Sequence, residues 1–219
     1  EFQFGMNWSN YSWFVGDIFG APLALEALLA FFLESTFLGL WIFGWDRLPP
    51  KLHLATIWLV VIGTHLSAYF ILAANSWMQS PVGFTIDPDT GQARLDDFVA
   101  VLTNPYLAGQ FSHTIFAAWT TGAFVVLGVS AIFLLKKRDT EVFAPAARTA
   151  VTIALVTSIG VAFVGHDQAQ HLTEAQPMKI ASAEALWDTT TGAPLSLFAV
   201  GDVDNRENIV DIGIPNGLS

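Results

Sequence analysis

Residues 54–77 and 107–135 contain no Asp, Glu, Lys or Arg at all. Each run is long enough, as a helix, to cross a hydrocarbon core, which needs about 20 apolar residues. A backbone in hydrocarbon must satisfy its own polar groups, so such runs become helices or closed barrels and little else. Two further stretches meet the length requirement: residues 18–43, and a shorter run at 149–165 that extends back to 146. The sequence therefore predicts an all-α integral membrane protein, a transmembrane helix bundle with four spans over 18–43, 54–77, 107–135 and 146–165. Residues 1–17 form an interfacial segment before the 18–165 bundle, and 166–219 begin an extramembrane segment after it.

Composition agrees. Of the 219 residues 53% are hydrophobic and 13% charged, against about 25% charged in a soluble domain, and the mean hydropathy is +0.51. The net charge of −10 and the absence of a basic stripe with interleaved aromatics exclude non-specific nucleic-acid binding. The chain has no cysteine, which removes disulfides, thiolate metal sites and thiol nucleophiles. It starts at Glu1 and stops at IPNGLS, in what reads as mid-loop; the expectation is an internal piece of a longer polypeptide.

Basic residues between spans set the orientation. Arg47 and Lys51 follow the first span, and Lys136, Lys137, Arg138 and Arg148 follow the third; these belong on the cytoplasmic side. The opposite side carries only Arg94, Lys179 and Arg206. Trp8, Trp13, Trp41, Trp45 and Trp77 fall near span ends, as interfacial anchors do. DPDTG and NP mark turns in the 78–106 connection. After the fourth span, HDQAQHLTEAQPMKIASAEALWD reads as amphipathic and partly helical, with Pro177 suited to a first helical turn. TTTGAP and GDVDNREN are polar turns around short apolar runs.

The first span, APLALEALLAFFLESTFLGLWIFGWDRLPP, holds two carboxylates, Glu26 and Glu34. An ionisable group in hydrocarbon is costly and by default marks ion or proton chemistry. In an ideal α-helix the two lie about 12 Å apart along the axis and roughly 80° apart in rotation. They cannot form a close acid dyad; they can be successive proton stations, or one can face a cofactor and the other feed it. Buried carboxyls bonded to neighbouring helices are the structural alternative. His113, between Ser112 and Thr114, can ligate haem iron through one ring nitrogen while a hydrogen bond orients the other, or can simply donate to a neighbouring helix. His65 faces the same choice, and His53 falls at the interface. His166 and His171 are five apart, off a common face, and read as surface residues. Lys179 and Glu184 are also five apart and so are not an i,i+4 pair; taken by themselves they are a solvated face. No HExxH, GxGxxG, Walker A or GxSxG pattern occurs.

The segments EFQFGMNW, VGDIFGAPLALEALLAFFLESTFLGLWIFGWDRL, NSWMQSPVG and QPMKIASAEAL resemble subunit I of the cytochrome bd quinol oxidases across nearly the whole chain. The resemblance implies a haem-bearing helical bundle that oxidises membrane quinol and reduces dioxygen to water, generating proton motive force. It implies a low-spin haem b, a high-spin haem b and haem d. His113 aligns with the ligand of the low-spin haem. Glu26 aligns with a glutamate at the high-spin haem pair, and Glu34 with one on the proton route. Ser35 and Ser67 match polar positions on that route, and the resemblance implies Glu26 and Glu34 as the catalytic carboxylates. Lys179 and Glu184 match the lysine and glutamate of an extracytoplasmic quinol-binding loop. The implied setting is the bacterial cytoplasmic (inner) membrane, with subunit II and small single-helix subunits as partners. Two other classes compete: a proton channel or transporter using Glu26 and Glu34 without haem, and a haem-binding sensor or assembly protein. The first gives no haem absorbance and the second no quinol turnover.

Overall fold

In the computed structural model residues 6–218 are described. The chain divides into two compact units, one up to Gln168 and one from Ala169 onward.

The first unit is built of long rods. α1 (Ser9–Leu25) runs through a π-helical turn (Glu26–Phe31) into α2 (Phe32–Phe43), so Ser9–Phe43 is one continuous rod of 35 residues. It is already helical at Ser9, ahead of the interfacial boundary drawn from the sequence. A short turn leads to α3 (Pro50–Gln79), and α5 (Pro105–Leu135) and α6 (Thr140–Ala175) complete four helices long and apolar enough to cross a membrane. Pro50 and Pro105 occupy first-turn positions, where the missing N–H costs nothing. Asn104 caps α5 by accepting from the Tyr106 amide at 2.9 Å. Pro22 lies inside α1, just ahead of the π turn; its missing N–H frees a carbonyl of the ladder, a common setting for helix irregularity.

α2 and α3 form a tight antiparallel pair. Gly63 of α3 makes this possible: a β-carbon there would stand 2.9 Å from Leu33 Cδ2 and 3.2 Å from both the Ala30 carbonyl oxygen and the Glu34 nitrogen. At the turn, His53 Nε2 donates to the Trp41 carbonyl at 2.8 Å, with its ring stacked on Trp41 and 4.5 Å from the Trp45 ring. His53 thus closes the hairpin.

The densest core gathers Val15, Ile18 and Phe19 of α1 with Ala74 and Trp77 of α3 and Ala93 and Val101 of the α3–α5 connection. That connection holds an antiparallel hairpin, β1 (Phe84–Ile86) with β2 (Ala93–Leu95), and a short helix, α4 (Phe98–Leu102). DPDTG forms its turn: Asp87 accepts from the Asp89 amide at 2.9 Å and lies 3.4 Å from the Arg94 guanidinium. The Asp89 amide first, then the Thr90 hydroxyl, hold the Asp87 carboxyl below its ordinary range. These bonds are therefore in place at neutral pH and are lost only as pH falls through the depressed value. Gln92 Nε2 donates to the Trp13 carbonyl at 2.8 Å, and Asp17 accepts from the Leu95 amide at 2.9 Å, clipping the hairpin to α1.

Large apolar side chains cover the outside of the rods. Leu28, Phe32, Phe43, Leu135 and Phe163 are all exposed. Contiguous apolar surface on this scale requires lipid or partner helices rather than water.

In the second unit α7 (Pro177–Ala183) starts at Pro177, the turn position expected of it. The polar turns then frame two strands, β3 (Leu195–Asp202) and β4 (Glu207–Ile214), paired antiparallel from Leu195↔Ile214 to Asp202↔Glu207. The chain is thus mostly helical, as expected, with two small hairpins outside the four long helices. LSLFAV and NIVDIGI lack strict alternation because register shifts interrupt the pairing. Trp187 Nε1 donates to Asn208 Oδ1 at 2.7 Å. Gly201 leaves room for the indole: a β-carbon there would lie 2.9 Å from Trp187 Cζ2.

Candidate functional site

Glu26 opens the π-helical turn and is 8% exposed. Ser67, one helical turn beyond Gly63 on α3, donates its hydroxyl to Glu26 Oε1 at 2.8 Å. The close approach at Gly63 brings these two helices near enough for that bond. A π turn holds one residue more than an α turn, so everything beyond it is rotated back by about 100°. The roughly 80° between Glu26 and Glu34 in an ideal helix then shrinks to roughly 20°. The two carboxylates therefore share one side of the rod, a relation sequence spacing alone does not reveal. Glu34 is half-buried, its backbone nitrogen facing Gly63. Ser35 is exposed and returns its hydroxyl to the Phe32 carbonyl at 3.3 Å. Of the sequence-derived polar set, Glu26 and Ser67 are thus hydrogen-bonded to each other, and Ser35 is bonded within its own helix.

A further polar cluster escaped the sequence reading. Ser76 donates to Gln110 Oε1 at 2.6 Å, and Gln110 Nε2 donates to Asn75 Oδ1 at 2.7 Å. Ser76 and Gln110 are buried, so this trio bonds α3 to α5. Amides inside spans that carry no charged residue were the available signal. Such bonds contribute about 0.6–2 kcal/mol within membranes. Gln110→Leu is expected to lower the melting midpoint of the purified protein by leaving the Ser76 hydroxyl and the Asn75 amide unpaired; thermal melting in detergent checks this.

The histidines separate by their partners. His65 Nδ1 donates to the Val61 carbonyl at 2.7 Å while Nε2 accepts from Trp119 Nε1 at 3.1 Å; both nitrogens are engaged. His113 differs: its Nδ1 is buried without a hydrogen-bond partner among the described residues. Its Nε2 is not among those sealed atoms and is hydrogen-bonded to none of the described residues, so it is the open nitrogen. The open Nε2 is the nitrogen through which His113 would bind haem iron; the hydrogen bond expected to orient the other ring nitrogen is not made by the described residues. Among the described residues no three His, Cys, Asp or Glu side chains converge on one point.

In the second unit Lys179 is exposed on α7, and Glu184 follows that helix, half-buried. Glu184 Oε2 accepts from the Ser196 amide at 2.8 Å, and its carbonyl accepts from the Ser196 hydroxyl at 3.1 Å. Part of this carboxylate therefore anchors β3, a role the sequence does not show. A groove of about 670 Å³, lined by residues including Met178, Trp187, Phe198 and Arg206, opens in the same unit.

Four helices long and apolar enough to cross a membrane, with a buried carboxyl inside one and a histidine inside another, have the architecture of a polytopic membrane protein. The whole chain, residues 1–219, matches the family described as Cytochrome bd terminal oxidase subunit I, and the chain belongs to that family. It is 54% identical to Cytochrome bd ubiquinol oxidase subunit 1 of Bacillus subtilis (strain 168), over 100% of this chain and 47% of that protein. It is 43% identical to Cytochrome bd-II ubiquinol oxidase subunit 1 of Escherichia coli (strain K12), over 98% of this chain and 42% of the relative. The solved bd oxidase from Geobacillus thermodenitrificans superposes with a TM-score of 0.81 at 32% identity, covering 94% of this chain and 47% of that one. The chain spans about half the length of these relatives.

Proposed function

We propose that this chain forms part of a terminal quinol oxidase of the bacterial cytoplasmic membrane, oxidising membrane quinol and reducing dioxygen to water. The observation that carries the reading is the buried Glu26 carboxyl, hydrogen-bonded to Ser67 across two membrane helices, in a chain of this family. His113 would hold the low-spin haem b through Nε2, and Glu26 would stand at the high-spin haem b and haem d. Haem supplies the one-electron chemistry and the dioxygen-reducing centre when bound. Subunit II and small single-helix subunits complete the complex, and lipid covers the remaining apolar faces.

The chain's own residues manage protons. Glu34 receives a proton from the cytoplasmic side and passes it toward Glu26, on the same side of the rod. Ser67 fixes the Glu26 carboxyl so that its second oxygen faces the transfer, and Ser35 supplies a hydroxyl beside Glu34. On the outer face Lys179 offers an ammonium to a quinol oxygen. Glu184, with Oε2 on the Ser196 amide, keeps Oε1 to take a quinol proton. Protons released outside and consumed from inside amount to proton motive force.

The test is oxygen uptake by the complete complex. Quinol-driven uptake is expected in the wild type. Glu184→Gln is expected to lower it by ~10²-fold, the low end for loss of a general base, while an artificial electron donor still drives reduction. Wild-type complex that takes up no oxygen with quinol contradicts the proposal. A smaller effect is expected of Ser67→Ala: one neutral hydrogen bond contributes about 1 kcal/mol, a several-fold loss of turnover that Ser67→Thr restores.

A further inference from the structure

We propose that Gly165 of α6 is a positioning residue for the His113 imidazole, giving the ring the space that aims Nε2 at haem iron; this rests on the reading of His113 as the haem ligand. α5 and α6 meet along one line. Thr120 donates to Thr157 Oγ1 at 2.8 Å. Nearer the start of α5, Phe116 lies over Gly160, where a β-carbon would stand 3.0 Å from the ring Cγ. One turn further, His113 lies over Gly165, where a β-carbon would stand 3.0 Å from Cε1 and 3.3 Å from Nδ1.

Glycine inside a helix costs about 0.5–1 kcal/mol relative to alanine, so its place needs a cause. Gly165 is not among the residues with positive φ, so backbone conformation does not require it. Nor is the lack of a side chain incidental: Gly109, Gly122 and Gly128 of α5 have nothing within 4 Å of a would-be β-carbon. Gly165 is set apart because its missing side chain is filled by the Nδ1–Cε1 edge of the imidazole. That contact explains why Nδ1 is sealed without a partner. It also fixes which nitrogen stays open. A methyl at 165 pushes on that edge, so the ring must tilt or rotate, and Nε2 swings off its line.

The experiment uses the complete complex and reads the reduced-minus-oxidised spectrum and midpoint potential of the low-spin haem, not turnover. Gly165→Ala is expected to retain the haem but shift both its α band and its potential. Gly165→Leu is expected to lose the low-spin signal, as His113→Ala does, with the high-spin haem signals retained as evidence of assembly. Gly160→Ala introduces an equally close contact with Phe116 and is expected to leave the low-spin spectrum at wild type. A wild-type spectrum and potential in Gly165→Ala overturn the proposal, as does the same shift in Gly160→Ala, which would mean that helix spacing alone is at work. Low-spin signal persisting in His113→Ala removes the ligand reading itself, and is distinguishable because it is seen without any change at Gly165.

Discussion

Glu26→Leu is expected to cut oxygen reduction by ~10²–10⁴-fold, the range for loss of a positioned acid–base group. Stability does not explain such a loss. Leucine is favoured in a membrane helix whereas acidic side chains cost about 3 kcal/mol on insertion scales, so the variant inserts at least as well as the wild type. Among the described residues, the bond broken is the one from Ser67. Glu26→Gln separates the two roles of the carboxyl: the amide oxygen still accepts from Ser67, but the side chain can no longer carry a proton. Turnover in Glu26→Gln is expected to match the leucine variant. Near-wild-type uptake in the glutamine variant would reduce Glu26 to a packing residue. The measurement is quinol-driven oxygen uptake by the purified complex, normalised to haem content.

Gly63→Leu is expected to be the most damaging substitution for assembly. The leucine would meet Leu33 Cδ2, which can move, and also the Ala30 carbonyl and Glu34 nitrogen, which belong to the opposing backbone and cannot. Overpacking a filled contact costs about 1–3 kcal/mol, and two of these three neighbours are rigid. α2 and α3 must separate, and the Ser67–Glu26 bond is lost with them. Gly39→Leu is the control, since nothing lies within 4 Å of a β-carbon there. Low yield and a lowered melting midpoint for Gly63→Leu, beside normal values for Gly39→Leu, are the expected results from thermal melting in detergent.

The membrane helices were legible because a run without charged residues has few other folds open to it. Their ends were less so: α1 begins at Ser9 and α6 runs from Thr140 to Ala175, since helices project beyond the apolar core with polar residues that hydropathy does not count. Glu26 and His113 stood out because an acid or imidazole in hydrocarbon needs a reason. Ser67 carries no such mark. Hydroxyls are common in membrane helices; the resemblance alone singled Ser67 out, and the approach at Gly63 shows that it meets Glu26. The π turn was hidden for a related reason. EALLAF has ordinary helix-forming composition, so nothing in its own propensity marks the π turn. The β3–β4 hairpin was hidden by broken alternation, and the second role of Glu184 by its partner being a backbone amide at Ser196.

The most direct test of the central claim is the reduced-minus-oxidised spectrum of the complete complex, wild type against His113→Ala. Loss of the low-spin haem b signal, with the remaining haem signals retained, is the expected result. A low-spin signal unchanged by the substitution, or a wild-type complex without haem absorbance, contradicts the haem-bearing role assigned to this chain.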